Sequence, residues 1–262
     1  MRSKFELLFI SITVIVTLLL FCVIGSMFLV TTPEGFISSL FSSDLSYSIW
    51  LTISTSLISA TLVIICCIPM AYSLVRFDFP GKWFFRIILD LPMALPEIVI
   101  GIALLMFLGN YGIGGYLDAW NIRLVFNTIG IIIAEFLVAL PYSIKMLHST
   151  FNYIDSRYEF VSRSLGYSDV DTFFNITLPL AKQGLFATII ITLARCIGTF
   201  AAVLFVGGGI LQKTDTLSIT MYLHLSTGNM DMAITAGIIL VLISVITIAI
   251  MEKYAPETYG GR

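Results

Sequence analysis

Six long apolar segments constrain the fold of this chain more than any other feature of its sequence. A helix needs about 20 mainly apolar residues to cross a bilayer. Six segments reach that length, at about residues 5–30, 48–75, 87–109, 126–148, 183–206 and 233–251. Hydrophobic residues make up 58% of the chain and charged residues only 11%, whereas about a quarter of an average soluble domain is charged. We therefore expect an all-α membrane protein with six transmembrane helices in a single domain, residues 1–262.

The first segment looks like a signal peptide only at its basic start, Arg2 and Lys4. Its apolar stretch is longer than a signal peptide requires, and no A-x-A site follows, so we expect it to remain as the first helix. Prolines inside or at the ends of later segments do not exclude helices, because neighbouring helices can satisfy the freed backbone groups. We expect kinks at Pro69, Pro92, Pro96 and Pro141.

The distribution of lysine and arginine predicts the orientation of the chain. Six spans place both termini on one side, and eleven of the 14 lysine and arginine residues fall on that side. Arg123 and Lys213 fall on the opposite side, and Arg195 lies inside a span. Because basic residues concentrate in cytoplasmic loops, we expect a multi-pass protein of the cell membrane with both termini and the polar loop 149–182 in the cytoplasm.

Residues 207–215, "GGGILQKTD", resemble a nucleotide-binding loop. That loop has the pattern G-x-x-x-x-G-K-[ST] and follows a β-strand. Gly207, Lys213 and Thr214 have the required spacing, but Gln212 replaces the second glycine. No soluble strand precedes the loop, and the orientation places it on the outer face, away from ATP. We conclude that this loop is not a nucleotide site.

Composition excludes several other classes of function. A net charge of −2 gives no electrostatic reason to bind nucleic acid. The four cysteines lie in apolar runs without a CxxC pair, and His148 and His224 have no partners at metal-ligand spacing. An intramembrane hydrolase would need a G-x-S-G nucleophile and a histidine in a facing span. The sequence has no G-x-S-G, His148 stands at the start of the cytoplasmic loop, and His224 lies outside the predicted spans. We expect no catalytic residue and no metal site on this chain.

The longest polar stretch, at about residues 150–182, predicts two short helices. Ile154, Tyr158, Val161 and Leu165 recur at three- and four-residue spacing with polar residues between them, which indicates an amphipathic helix. Gly166 ends that helix, and Ser168 or Asp169 caps a second one. The pattern alone would also suit a helix that lies on lipid headgroups.

The spacing within this stretch favours another interpretation. Gly166, Ile176, Leu178 and Pro179 form the frame G-x9-I-x-L-P, which resembles the "EAA" loop of ABC-importer permeases. The resemblance implies that the loop is a coupling helix, which fits into a cleft on an ATPase subunit. Glu159 occupies the family's glutamate position, while Val161 and Ser162 replace its alanines. The candidate coupling residues are Glu159, Arg163, Leu165, Gly166, Tyr167, Asp169, Ile176, Leu178 and Pro179.

A second resemblance concerns the substrate. Residues 193–222 are similar to a stretch of molybdate-type permeases, and residues 90–105 resemble the proline-rich third span of the same family. Thr199 and Ala201 depart from that family's glutamate and glycine. Sulfate permeases share much of this stretch. The resemblance implies a type I ABC-importer permease fold and a tetrahedral oxyanion as substrate, molybdate or tungstate first, with sulfate as the alternative.

Charges inside the predicted spans identify a candidate translocation pathway. Arg195 lies about twelve residues into the fifth span, and Glu97 and Glu135 lie at comparable depth. Charges at such positions are costly and usually functional. Arg195 could pair with one of these acids, or line the path and donate hydrogen bonds to a passing oxyanion, and the two roles are compatible. Gly198 and Thr199 complete the candidate pathway, and a proton-coupled carrier using Glu97 or Glu135 is the alternative mechanism.

The family resemblance also implies the partners. One chain carries one coupling loop, whereas the family's ATPase acts as a dimer, so we expect a homodimer with two ABC ATPase subunits on the cytoplasmic side. ATP and Mg would bind to those subunits, and this chain would carry no cofactor. An extracytoplasmic substrate-binding protein would face Gly208, Lys213 and Thr214. The remaining partner is the lipid bilayer.

Overall fold

The computed structural model describes residues 4–117, 120 and 123–254. Within these residues the chain is helical and contains no strand, as the sequence predicts. The helices are, in chain order, α1 (Lys4–Gly25), α2 (Met27–Val30), α3 (Pro33–Leu40), α4 (Ser43–Arg76), α5 (Lys82–Ala94), α6 (Glu97–Leu108), α7 (Ile113–Leu117), α8 (Thr128–Tyr153), α9 (Arg157–Ser164), α10 (Asp169–Thr172), α11 (Leu178–Leu180), α12 (Lys182–Ile197), α13 (Ala201–Gly207), α14 (Leu217–Ser226) and α15 (Met230–Tyr254). A π-helical turn, Phe173–Thr177, joins α10 to α11.

Polar side chains at the N-cap explain where several helices begin. The side-chain oxygens of Thr32, Ser42 and Asn127 accept hydrogen bonds from backbone N–H groups in the first turns of α3, α4 and α8. Such caps satisfy donors that would otherwise have no partner within the helix. The long apolar helices α4 and α8 therefore start at defined residues.

Five helical segments in the described part of the chain are long and apolar enough to cross a membrane: Lys4–Val30, Ser43–Arg76, Glu97–Leu117, Thr128–Tyr153 and Met230–Ile250. A sixth arises if the bent pair Asp169–Leu180 and Lys182–Ile197, which meet at 74°, counts as one span. Three of the predicted segments, 48–75, 126–148 and 233–251, match single continuous helices, and 5–30 matches the candidate span formed by α1 and α2.

The third and fifth predicted segments are interrupted. Residues 87–109 are divided at Leu95 and Pro96, and the long apolar helix begins only at Glu97, since proline has no N–H to continue the helical hydrogen bonds. Residues 183–206 are divided between α12 and α13 by an irregular turn at Thr199 and Phe200. Pro69, Pro92 and Pro141, in contrast, lie inside continuous helices.

The centre of the bundle is the interface between α4 and α8. Helix α12 packs against both, α13 packs on α6 and α8, and α15 packs on α3, α12 and α14. One face of α4 carries small hydroxyl side chains that are at most 1% exposed: Ser48, Thr52, Thr55, Ser56 and Ser59. Small polar residues let membrane helices approach closely and bond to one another. Helix α1 has no buried side chain.

The two ends of the bundle differ in the segments that they carry. At the loop end, α4 and α8 end while α5 and α12 begin, and α9 to α11 lie there. At the opposite end lies the turn 208–216, which connects α13 to α14.

Candidate functional site

Helix α9 and the glycine that ends it form the predicted amphipathic element. Gly166 has a φ of +92°, in the left-handed region, and its N–H donates to the carbonyl of Arg163. The N–H of Tyr167 donates to the carbonyl of Ser162, which closes the helix end. Glycine suits this position because side chains disfavour positive φ. The short helix and its glycine end are confirmed.

The polar side of α9, rather than its apolar side, faces the bundle. Glu159 and Ser162 are 3% and 5% exposed. Tyr158, Val161 and Leu165 are 58%, 54% and 74% exposed. An apolar surface that points away from the bundle is available to a partner or to lipid.

Glu159 joins α9 to the end of α4. Nε of Arg76 donates to both carboxylate oxygens of Glu159 at 3.0 and 3.1 Å, and a terminal nitrogen of Arg76 donates to the carbonyl of Ile154 at 2.8 Å. The hydroxyl of Thr177 donates to Glu159 at 3.0 Å. We expected Glu159 among the residues that couple to the ATPase. Because its side chain is buried, it fixes the position of α9 and is not on the surface that a docked protein would touch.

The other predicted coupling residues lie on the same short segment. Arg163 and Asp169 are exposed and form an ion pair at 3.3 Å, and Tyr167 is exposed beside them. Ser168 caps α10 by accepting from the N–H of Asp171, as expected. Ile176 and Leu178 are half-buried, and Pro179 is exposed just before α12. The structure brings these residues together, and their coupling role stays a prediction.

Arg195 pairs with Glu97 rather than with Glu135. A terminal nitrogen of its guanidinium donates to Oε1 of Glu97 at 2.7 Å, and the guanidinium carbon lies 4.7 Å from the centre of the Tyr142 ring. The two side chains are 34% and 23% exposed, so the pair is open on one side. Nε of Arg195 is buried and has no hydrogen-bond partner within the described part of the chain. Glu97 is the first residue of α6, where the helix dipole stabilises a negative charge.

Glu135 occupies a closed site between α4 and α8. Ser59 donates to one carboxylate oxygen at 2.8 Å, and Thr55 and Ser56 donate to the other at 3.1 and 3.3 Å. The side chain is 1% exposed. A buried acid that accepts three hydroxyl hydrogen bonds stabilises the helix interface. The i, i+1 and i+4 spacing of these hydroxyls on α4 is a signal that the sequence reasoning did not use.

Gly198 and Thr199 mark the end of α12 beside this pair. The hydroxyl of Thr199 donates to the carbonyl of Arg195 at 2.8 Å, and the side chain is 1% exposed. Its own carbonyl accepts from Ser218 at 3.1 Å. Gly198 is exposed. Thr199 therefore ends the helix that carries Arg195, and its side chain does not face open space.

The turn 208–216 is held against the start of α4. The hydroxyl of Tyr47 donates to the carbonyl of Lys213 at 3.1 Å, and Gln212 donates to Asp44 at 2.6 Å. We expected Thr214 to face the substrate-binding protein, but it is buried and accepts from the N–H of Ile210, so its side chain holds the turn together and does not face outward. Gly208 has a φ of +82°, in the left-handed region that favours glycine.

The turn contains a buried acid and borders a cavity. Asp215 is buried and accepts from the hydroxyl of Ser48 at 3.2 Å, and burial raises the pKa of Asp215. A cavity of about 390 Å³ lies at the same end of the bundle, and its lining includes Asn110, Arg123 and Lys213. Within the described residues, no three His, Cys, Asp or Glu side chains form a group that could hold a metal ion.

Comparison with known families identifies the chain. Residues 64–258 match the family described as "Binding-protein-dependent transport system inner membrane component". The chain belongs to this family. It is thus a permease of the ABC-importer type, and proteins of this family are membrane transport components.

Similar permeases differ in the substrate that their names give. The permease is 31% identical over 226 residues to the "Sulfate transport system permease protein CysW" of Synechocystis sp., which covers 86% of this chain and 82% of that protein. It is 29% identical over 253 residues to the "Molybdate/tungstate transport system permease protein WtpB" of Methanocaldococcus jannaschii, covering 96% and 97%. It is 33% identical over 210 residues to a "Probable molybdenum ABC transporter permease protein" of Haloferax volcanii, covering 78% and 75%.

Solved structures show the same fold. A bacterial ABC transporter that imports the acidic polysaccharide alginate superimposes with a TM-score of 0.74 over 96% of both chains, at 15% identity. The same kind of transporter in complex with an alginate-bound periplasmic protein gives a TM-score of 0.73 over 97% of the permease and 96% of that chain, at 15% identity. The predicted type I permease fold is therefore confirmed.

Proposed function

We propose that the permease moves a tetrahedral oxyanion, with molybdate or tungstate as the first candidate and sulfate as the alternative. The observation that carries this proposal is the side chain of Arg195, which is one-third exposed and donates one hydrogen bond to Glu97. Arginine presents a planar fork of donors that matches the oxygen atoms of an oxyanion. The names of the molybdate, tungstate and sulfate relatives agree with this class of anion.

Arg195 and Glu97 would act as a latch. An arginine left alone inside a membrane segment is costly, so Glu97 keeps the charge compensated while the path is empty. A passing oxyanion competes with Glu97 for the same donors and replaces one anion by another. Because Glu97 remains close, the bound anion is repelled and leaves again, as a transport site requires.

The partners follow from the family and from the two ends of the bundle. Two copies of the chain would form the pathway between them, and two ABC ATPase subunits would bind the exposed apolar side of α9 at the cytoplasmic loop end. ATP and Mg would bind to those subunits, whose closure would alternate access to the pathway. A substrate-binding protein would deliver the anion at the opposite end, next to Gly208 and Lys213. Both termini would then be cytoplasmic.

Replacement of Arg195 by glutamine tests this function. The complex of the permease, its ATPase and its binding protein would be reconstituted into vesicles, and uptake of labelled molybdate, tungstate and sulfate measured. We expect uptake to fall at least tenfold, because hydrogen bonds to a charged group contribute about 1.5–3 kcal/mol, while the ATPase still co-purifies. Normal uptake by the R195Q variant would contradict the pathway role.

The substrate itself is best identified on the binding protein. Calorimetric titration of that protein with molybdate, tungstate and sulfate separates the three anions directly. Tight binding of molybdate or tungstate supports the first candidate, and tight binding of sulfate alone supports the alternative. Uptake that needs a proton gradient but no ATP would instead favour the proton-coupled carrier.

A further inference from the structure

A row of three charged side chains and one histidine on α5 and α8 has no role in the coupling or latch sites. On α5, Arg86 and Asp90 lie four residues apart, and on α8, Lys145 and His148 lie three residues apart, so each pair lies on one face of its helix. Nζ of Lys145 is 3.6 Å from a carboxylate oxygen of Asp90. A terminal nitrogen of Arg86 is 3.4 Å from Nε2 of His148. We call these four residues the charged row.

Three residues of the charged row, Arg86, Asp90 and Lys145, are exposed although they belong to an apolar bundle, and His148 is half-buried. The side chains of Lys145 and Asp90 are 62% and 51% exposed. Lys145 precedes the last residue of α8, Tyr153, by eight residues, a distance of about 12 Å along the helix axis. Charged groups within membrane segments face a protein interior or a water-filled cavity, because contact with lipid chains is costly.

Helix α8 carries residues of both the charged row and the surroundings of the latch. Tyr142, which packs over the guanidinium of Arg195, lies one turn before Lys145 on the same helix. His148 lies three residues beyond Lys145 toward the loop end. Tyr142, Lys145 and His148 thus follow one another at three-residue intervals along α8, from the latch toward the loop end.

We propose that the charged row lines a water-filled inner vestibule, through which the oxyanion travels from Arg195 to the loop end of the bundle. The second copy of the chain closes the open side of this vestibule. This inference rests on the proposed function and adds the exit half of the pathway to it. Lys145 and Arg86 attract the departing anion, and Asp90, paired with Lys145, keeps that attraction weak enough for release.

The competing explanation is that these side chains extend to lipid headgroups. Long basic side chains near helix ends can reach the interface while their stems remain in apolar surroundings. If the side chains extend to lipid headgroups, their accessibility to water should not depend on the conformational state of the transporter. A vestibule, in contrast, opens and closes with the ATPase.

Accessibility of a cysteine at position 145 distinguishes the two. In a chain with Cys22 and Cys66 replaced by alanine, Lys145→Cys would be treated with a negatively charged methanethiosulfonate in permeabilised vesicles that contain the whole transport complex. The control is Ile65→Cys on α4, whose residue is 62% exposed and lies eleven residues from the loop end of its helix. Labelling would be measured without nucleotide and with a non-hydrolysable ATP analogue.

We expect Lys145→Cys to react at least tenfold faster than Ile65→Cys without nucleotide, and to slow severalfold with the ATP analogue. Equal rates at the two positions, or a fast rate that nucleotide does not change, would overturn the vestibule. Labelling needs no transported substrate. If it behaves as expected but the complex takes up neither molybdate, tungstate nor sulfate, the oxyanion function fails and the vestibule stands.

Transport by Lys145→Gln provides a second readout. We expect labelled oxyanion uptake to fall severalfold with ATP hydrolysis retained, because an attractive charge on the exit path is lost. Lys182→Gln, an exposed lysine at the start of α12, is the matched control and should transport normally. Normal transport by the K145Q variant would contradict a role of the charged row in anion release.

Discussion

Two arginine–glutamate pairs in the permease have the same chemistry and different surroundings. Arg76 and Glu159 are 13% and 4% exposed, and Thr177 and the carbonyl of Ile154 supply further hydrogen bonds. Arg195 and Glu97 are 34% and 23% exposed, and Nε of Arg195 has no partner within the described residues. The first pair is enclosed and fixes a helix in place. The second is open on one side, so its arginine can exchange one anion for another.

The largest effect is expected at the enclosed pair. Glu159→Ala leaves the guanidinium of Arg76 buried without its carboxylate, and removal of one partner of a buried pair costs about 3–5 kcal/mol. We expect a lower melting temperature of the purified complex and loss of co-purifying ATPase. Arg163→Ala removes an exposed pair with Asp169 and should cost less than about 1 kcal/mol. Equal destabilisation by the two substitutions would show that the enclosed Arg76–Glu159 pair contributes no more to stability than an exposed pair.

The open pair should respond differently, in kinetics rather than in stability. Glu97→Gln removes the charge that competes with the substrate, so the oxyanion should remain longer on Arg195. We expect KM and the maximal uptake rate both to fall, each by up to about tenfold. Glu135→Gln is the control, because Glu135 lies in a closed site between α4 and α8, and it should leave KM unchanged. If E97Q raises KM instead, Glu97 helps to bind the substrate, and the proposal that it competes with the substrate for Arg195 is wrong.

Gly166 tests how firmly α9 must be positioned. Valine at a φ of +92° is strained by about 1–2 kcal/mol, although a Cβ there would meet no atom within 4 Å. We expect Gly166→Val to hydrolyse ATP with fewer anions transported for each ATP.

Asparagine tolerates the left-handed region better than valine. The Gly166→Asn variant should therefore retain most of the coupling and serves as the control. Normal transport by Gly166→Val would mean that α9 is not the coupling element.

The smallest effect is expected at the turn 208–216. Its turn geometry depends on Thr214, Tyr47 and backbone groups, and the exposed side chain of Lys213 is not part of that framework. We expect Lys213→Ala to raise the KM for oxyanion uptake by at most about threefold, as the loss of one exposed charge implies. Unchanged kinetics would rule out any contact between Lys213 and the anion when it is delivered.

The sequence predicted the class of fold and the short helix of the loop because each depends on local patterns. The length of the apolar segments predicted the spans, and the residue spacing before Gly166 predicted where the short helix ends. A kink was expected at Pro96, but the sequence did not distinguish Pro96, where the helix stops, from Pro69 and Pro141, which lie inside continuous helices. The interruption at Thr199 was not predicted. Whether such a residue ends a helix depends on what packs against it.

The pairing of charges could be predicted only in part. The positions of Arg195, Glu97 and Glu135 within their predicted spans indicated that Arg195 lies at a similar depth to both acids. Only the packing of α4 on α8 shows that three hydroxyls enclose Glu135. Arg76 was counted only as a charge at the end of a span. Its bond to Glu159 joins residues 83 positions apart, and a single sequence carries no signal for such a contact.

The separate roles of the two arginine–glutamate pairs are tested most directly by the number of anions transported for each ATP hydrolysed. This ratio would be measured in the same vesicles for Glu159→Gln and Arg195→Gln. We expect R195Q to keep ATP hydrolysis stimulated by the loaded binding protein but to transport little. We expect E159Q to lose that stimulation because α9 is no longer fixed. Loss of stimulation and uptake to the same degree in both variants would contradict separate roles for the two pairs.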